Sequence, residues 1–255
     1  MANFKPLNNY SLFVLDRLID KYHLKPPFLD VACGNGYLSK HLAKKRWEGV
    51  ALDYSPQAVS LAKENLKEYR KVKVIEKPFS KASGKYNTVL MFDFLEHVED
   101  DISILKKAHS LLSDKGFLVI AGPSNPKEWR WDDEFYGHYR RYTEGELREK
   151  LIKTHFKPIL FYDYTFPFFW GLRRIYTGIK KSKLDDLNKE KQPEQSSRAS
   201  RTKLSSFKYA WDIPIISNFL DKTSFFWLPI YLIQYNFFKK KISKGNAIFL
   251  LAKKK

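Results

Sequence analysis

Phe28-Leu29-Asp30-Val31-Ala32-Cys33-Gly34-Asn35-Gly36 runs from an apolar stretch straight into a glycine turn. A short apolar run with one acid suits a strand buried on both faces, as in a parallel sheet. The glycines permit a tight turn and let main-chain N–H groups approach a ligand. Tyr37 to Lys45 reads as the helix that follows. A second apolar run, Gly49-Val50-Ala51-Leu52, ends at Asp53. Strand, glycine turn, helix and an acid closing the next strand form the nucleotide-binding half of an α/β sheet. The acid is suited to accept hydrogen bonds from ribose hydroxyls.

The pattern separates the common nucleotides. A dinucleotide fingerprint needs a third glycine where this chain has Ser39. A phosphate loop needs a Gly-Lys-Ser/Thr ending, which is absent here. The remaining pattern, Asp30-x-Ala32-x-Gly34-x-Gly36 with the distant Asp53, resembles motif I of the class I S-adenosylmethionine-dependent methyltransferases, which usually carry glycine at the position of Ala32. Asp53-Tyr54-Ser55 resembles the acidic motif of that family. Tyr86 to Val98 resembles its fourth strand and loop, and Leu111 to Ile120 its fifth strand. Gly137-His138-Tyr139-Arg140-Arg141-Tyr142-Thr143 resembles a segment of a broad bacterial-type small-molecule subgroup. The resemblance covers roughly residues 25 to 163.

It implies S-adenosyl-L-methionine as cofactor and a doubly wound, seven-stranded, mostly parallel α/β sheet whose last strand is antiparallel. The implied cofactor-binding residues are Asp30, Ala32, Gly34, Asn35, Gly36, Asp53, Tyr54, Glu76, Asp93 and Phe94. Asp30 is expected near the amino group of the cofactor and Asp53 at its ribose. Glu76 stands near the position where the family often places an adenine-binding acid, and the loop from Asp93 to His97 lies beside the methionine part.

The remaining elements follow from local signals. Ser11 to Tyr22 has helical spacing of Leu12, Leu15, Leu18 and Ile19. Ser55-Pro56 caps a helix running to about Tyr69. Strands are expected at Pro27–Ala32, Val50–Asp53, Lys71–Glu76, Asn87–Asp93, Phe117–Ala121 and Pro158–Tyr164. A helix is expected at Asp101–Leu112, and Thr143-x-x-Glu146 is a capping box opening another. The seventh strand is expected at Asn246–Ala252. The chain then divides into a methyltransferase core (1–164), a basic aromatic cap insertion of helical or disordered character (165–245), and a final core strand with a basic tail (246–255). Within the insertion, residues 180–203 are polar and charged and are expected to form a mobile linker.

At 255 residues and 44% hydrophobic content, the chain suits one domain with an elaboration. Its one cysteine excludes a disulfide framework. The polar start, without a signal-peptide apolar run, leads us to expect a cytoplasmic location. The net charge of +18 calls for an acidic partner. The aromatic run from Phe225 to Phe238 is too short to span a bilayer and ends in Lys239-Lys240-Lys241, as an interfacial helix on anionic lipid would. Peripheral contact at the inner face of the membrane is one expectation. A lid over the active site with ordinary surface lysines is the other. Trp129-Arg130-Trp131 and Tyr139-Arg140-Arg141-Tyr142 interleave rings and charge as single-strand binders do, yet no RNA module accompanies them.

Methyl transfer to oxygen needs the acceptor proton removed, a task for a neutral imidazole. His138 and His97 are the catalytic candidates, both expected at the ligand edge of the sheet. Trp131, Tyr136, Tyr139, Arg140 and Arg141 are candidate substrate contacts. No metal is indicated by spacing, and Asp132-Asp133-Glu134 reads as a solvated turn. The expected reaction is methyl transfer to an O or C atom of a small or lipid-like acceptor, an apolar tail with an acidic head. An RNA methyltransferase and a non-catalytic cofactor-binding regulator are the alternatives.

Overall fold

The computed structural model describes residues 5–188 and 226–255. One sheet holds β1 (Phe28–Val31), β2 (Gly49–Asp53), β3 (Val72–Glu76), β4 (Tyr86–Phe92), β5 (Leu112–Pro123), β6 (Phe156–Asp163) and β7 (Ala247–Lys254). Their order is β3-β2-β1-β4-β5-β7-β6. The first five strands pair in parallel, and β7 runs antiparallel to both β5 and β6. The expected doubly wound sheet with a reversed last strand is therefore present. Its order turns at β1 and β4, and a crevice opens beyond their carboxyl ends.

Around it lie α1 (Pro6–Tyr22), α2 (Tyr37–Lys44), α3 (Pro56–Leu66), α4 (Asp101–Leu111), α5 (Trp131–Tyr136), α6 (Glu144–Lys153), α7 (Phe168–Asn188) and α8 (Trp227–Ile233), the last continued by a π-turn over Gln234–Phe238. Successive strand residues point to opposite faces, so neighbours divide between two cores. Phe28, Leu90, Val119 and Phe249 meet Leu15 and Leu18 of α1 and Leu38 and Leu42 of α2. Leu29, Val89, Leu118 and Leu250 meet Leu105 of α4 and Leu147 and Leu151 of α6.

Boundaries follow the local chemistry. Ser55 accepts from the Ala58 N–H to cap α3, and Asp100 accepts from the Ser103 N–H to cap α4. The expected capping box at Thr143 and Glu146 is formed in both directions. Helix α1 starts earlier than its apolar spacing suggests, because Pro6 fits the first helical turn. Strand β5 is longer at its start, taking Leu112 from the expected helix to pair with Tyr86.

One expectation needs correction. Asp132-Asp133-Glu134 belongs to helix α5, with Asp132 and Asp133 buried, rather than to a solvated turn. Of the segment 180–203, residues 180–188 continue α7, which runs to Asn188, and 189–203 lies outside the described residues.

The described parts of the insertion pack back on the core. Phe169 of α7 stacks on Tyr10 of α1 at 5.4 Å, and the Tyr231 hydroxyl of α8 donates to the Pro6 carbonyl at 2.8 Å. The Gln234 side-chain amide donates to the Phe166 carbonyl. Both ends of the insertion meet at one buried carboxylate: Asp163 accepts from the N–H groups of Thr165, Phe166 and Gly245 at 2.9, 2.8 and 2.7 Å. The insertion therefore leaves and re-enters the sheet at one point.

Candidate active site

At the carboxyl end of β1 the chain passes through left-handed backbone at Ala32 (φ 55°), Gly34 (φ 56°) and Gly36 (φ 76°). A Cβ at Gly34 would stand in open space, whereas one at Gly36 would press on Leu66 at 3.1 Å. Gly36 therefore serves packing, and Gly34 leaves its side of the turn bare. The left-handed Ala32 shows why glycine suits this position in the family. Asp53 accepts from the N–H of Gly34 and of Ser55, both at 2.9 Å, and so ties the turn to the end of β2.

Ser39, standing where a dinucleotide site has its third glycine, donates to Asp30 at 2.7 Å. Burial pushes Asp30 up to about 7, against the lowering effect of that hydrogen bond. The Asn35 side chain accepts from the Tyr37 N–H. Glu76 pairs in register beside Asp53 and is exposed, as is Tyr54. Phe94 is half-buried and packs edge-on against Phe79 at 5.9 Å.

Next to this turn lies a cavity of 360 Å³. Its floor carries Asp93, Glu96, His97 and His138, and its walls include Phe92, Tyr164 and Phe169. Asp93 opens onto the cavity in left-handed backbone (φ 48°). The protein packed about it pushes its carboxyl up to about 6, with the charge of His138 opposing. Burial, reinforced by the charges of Asp93 and Asp133, holds Glu96 well above the usual carboxylate range, against the charge of Arg141. Glu96 is 2% exposed, and its Oε1 has no hydrogen-bond partner.

His138 has a defined buttress. Gly137 ends α5 in left-handed backbone (φ 71°) and folds the chain back, so that the His138 ring meets Asp133. Nδ1 of His138 lies 2.8 Å from Asp133 Oδ1. Asp133 is fully buried and also accepts from Nε of Arg141 at 2.8 Å and from Nη2 of Arg173 at 2.9 Å. Burial opposes its ionisation, but the bonds from His138 and Arg141 and the Arg141 charge hold its carboxyl below the usual range. An ionised Asp133 only accepts, so Nδ1 carries a proton, and in the neutral ring the lone pair is on Nε2. His97 stands edge-on to His138 at 4.7 Å.

The candidate substrate residues separate in space. Tyr136 and Arg141 line the cavity, and Tyr136 stacks beside His138 at 6.1 Å. Trp131 does not line it: its ring nitrogen donates to the Thr177 carbonyl of α7. Arg140 points to Asp101 at 3.0 Å and to the Glu99 carbonyl, outside the cavity. Tyr139 lies beside Arg140 and donates its N–H to the Glu96 carbonyl.

Sequence reasoning missed Asp133, Glu96 and Arg173 as parts of this site. Gly137 was the available signal for Asp133. Nothing local announces Arg173, which arrives from the insertion. Folding also brings one ligand atom each from Glu96, His97 and His138 within 4.8 Å of one another, a grouping able to hold a cation that spacing alone did not show.

A family model described as methyltransferase domain matches residues 13–159. A ubiquinone biosynthesis O-methyltransferase of Nitrosomonas europaea is 30% identical over 138 residues, covering 50% of this chain and 58% of the relative. One of Xanthomonas campestris is 32% identical over 124 residues, covering 46% and 52%. The chain spans about half the length of the curated relatives it matches. The magnesium protoporphyrin IX methyltransferase of Synechocystis PCC 6803, solved with bound S-adenosylmethionine, superposes with a TM-score of 0.51 at 22% identity over 64% of this chain and 74% of that one. The 4+2 cyclase SpnF superposes with a TM-score of 0.58 at 12% identity over 96% and 80%. At these identities the likeness shows a shared fold, and a cyclase on that fold cautions against reading a reaction from the sheet alone.

Proposed function

Because this chain belongs to the methyltransferase-domain family, we propose that it transfers a methyl group from S-adenosylmethionine to a hydroxyl of a hydroxylated aromatic acceptor. The residues of the turn fit that cofactor: the side of Gly34 is bare, and Asp53 and Asp30 stand at the ends of adjacent strands. Gly34, Asn35 and Gly36 would approach it through the backbone, Asp53 would hold the ribose hydroxyls, and Asp30 would face the amino group. Asp93 and Phe94 would flank the methionine part. When bound, the cofactor supplies an electrophilic methyl group on sulfur.

The observation that carries oxygen as the acceptor is the His138–Asp133 pair. Nε2 of His138 takes the acceptor hydroxyl proton, and the Asp133 carboxylate stabilises the imidazolium that results. Phe92, Tyr164 and Phe169 exclude water and suit a flat ring. The cavity arginines argue against the acidic head expected from composition. Arg173 directs Nε, Nη1 and Nη2 to Asp132, Asp133 and the Glu128 carbonyl. Arg141 engages Asp133 and the carbonyls of Ser124 and Asn246. A phenol or catechol that enters neutral and leaves its proton on His138 fits better. The O-methyltransferase names of the curated relatives agree with this reading.

The test is calorimetric titration with S-adenosylhomocysteine, followed by methyl transfer to a panel of catechols and phenols. We expect binding on the order of −8 kcal/mol, greatly weakened by Asp53→Ala, and turnover that His138→Gln abolishes. Absence of binding to the wild type would overturn the reading entirely. Binding without turnover on the panel would favour a cofactor-binding regulator, and methylation of RNA instead would move the acceptor to nucleic acid.

A further inference from the structure

The insertion has a second face that the proposed reaction does not use. On α7, Phe169 and Arg173 line the cavity, while Phe168, Leu172 and Ile175, spaced as one helical stripe, point away from it and are exposed. On α8 and its π-turn, Tyr231 and Gln234 are buried, while Ile233 (43% exposed) and Phe237 (72% exposed) stand on the outside. Of the thirteen exposed large apolar side chains among the described residues, six fall on these two segments and a seventh, Phe226, directly precedes α8, so the apolar surface is concentrated here rather than scattered. Lys240, Lys241 and Lys244 follow directly and are exposed. The two segments adjoin, since Phe169 stacks on Trp227 and Phe166 packs on Phe238.

We propose that this face of α7 and α8 docks on the surface of an anionic phospholipid bilayer. Rings and aliphatic side chains would enter the headgroup boundary, and the lysines would meet lipid phosphates. Charge complementarity selects this occupant: the chain carries a net +18, and the lysine run abuts the apolar stripe. The contact is peripheral, because no helix among the described residues is long and apolar enough to cross a membrane. The inference stands apart from the methyl-transfer reading, since none of its residues belongs to the cavity or the glycine turn.

The experiment is co-sedimentation of the full chain with vesicles of phosphatidylcholine alone and of phosphatidylcholine with phosphatidylglycerol. We expect binding only to the anionic vesicles, weakening as salt rises. Ile233→Ser with Phe237→Ser should reduce it about 10-fold or more, and Lys240→Glu with Lys241→Glu should abolish it. Both variants should keep the wild-type thermal midpoint and S-adenosylhomocysteine affinity, because the altered side chains are exposed. Failure of the wild type to bind anionic vesicles overturns the proposal, as does binding indifferent to both variants. A concentration-dependent dimer abolished by the apolar variant, with no vesicle binding, would assign the face to a second copy. Salt-sensitive RNA binding lost in the lysine variant, with no vesicle binding, would assign it to nucleic acid.

Discussion

Asp133 Oδ1 lies 2.8 Å from Nδ1 of His138, with the carboxylate fully buried and the imidazole on the cavity floor. The pair sets the tautomer, and the tautomer decides whether Nε2 can take a proton. Asp133→Asn would let the amide donate instead and turn the lone pair away from the acceptor. We expect kcat to fall by roughly 10²–10⁴, with S-adenosylhomocysteine affinity little changed. A kcat within threefold or so of wild type would remove His138 from the role of base.

Arg173 carries this arrangement into the insertion. Its Nη2 lies 2.6 Å from Asp132 and 2.9 Å from Asp133. Arg173→Met removes the cation and leaves two buried carboxylates short of a partner, a loss of about 3–5 kcal/mol. Chemical denaturation should show it, together with a lower kcat, because α7 no longer braces the carboxylate behind His138. Unchanged stability would mean that Asp133 is held well enough by Arg141, His138 and the Arg130 N–H.

Gly34→Ala separates ligand approach from folding. The added methyl meets no protein atom, so the folding cost is that of left-handed backbone, about 1–2 kcal/mol. Its methyl would stand on the side of the turn that a ligand needs. S-adenosylhomocysteine affinity should fall at least about 10-fold, or about 1.4 kcal/mol, in a protein that still unfolds cooperatively. Full affinity in this variant would place the ligand elsewhere.

Asp30 gives a pH dependence with a definite sign. It titrates at about 7 in the fold and at roughly 3.9 in an unfolded chain. Between these values the native state holds the extra proton. The stability Asp30 contributes is therefore full below the unfolded value and is lost as pH rises through about 7. Asp30→Asn keeps an acceptor for Ser39 and removes the titration. It should flatten the fall in unfolding free energy between roughly pH 4 and 7, which urea denaturation across that range would measure. Identical slopes in the two proteins would contradict the assignment.

Gly245→Ala tests the knot that closes the insertion. A Cβ there would collide with the Asp163 carboxylate and the Thr165 hydroxyl. We expect about 1–3 kcal/mol of destabilisation, read by thermal unfolding.

The sequence by itself marked the strands and the glycine turn, because both are local, while the order of the sheet and the cofactor came from the resemblance to the methyltransferase family. The runs at Phe28–Val31 and Asn246–Ala252, apolar but for Asp30 and Asn246, read as buried strands, and the glycines between Val31 and Tyr37 read as a turn. The capping signals at Ser55 and Thr143 lie within three residues of the N–H groups they satisfy. The proton-handling half of the site was not legible in this way. Asp133 reads as solvated on charge alone, and it becomes the buried partner of His138 only when Gly137 folds the chain back and Arg141 and Arg173 offset its desolvation. Arg140 and Arg141 are neighbours of one type, yet one pairs with Asp101 outside the cavity and the other lines it. Burial of a charge depends on partners drawn from distant segments, which spacing does not encode. Hence the tertiary structure alone decided which acids and bases meet at the cavity, and which apolar side chains of the described part of the insertion were left exposed.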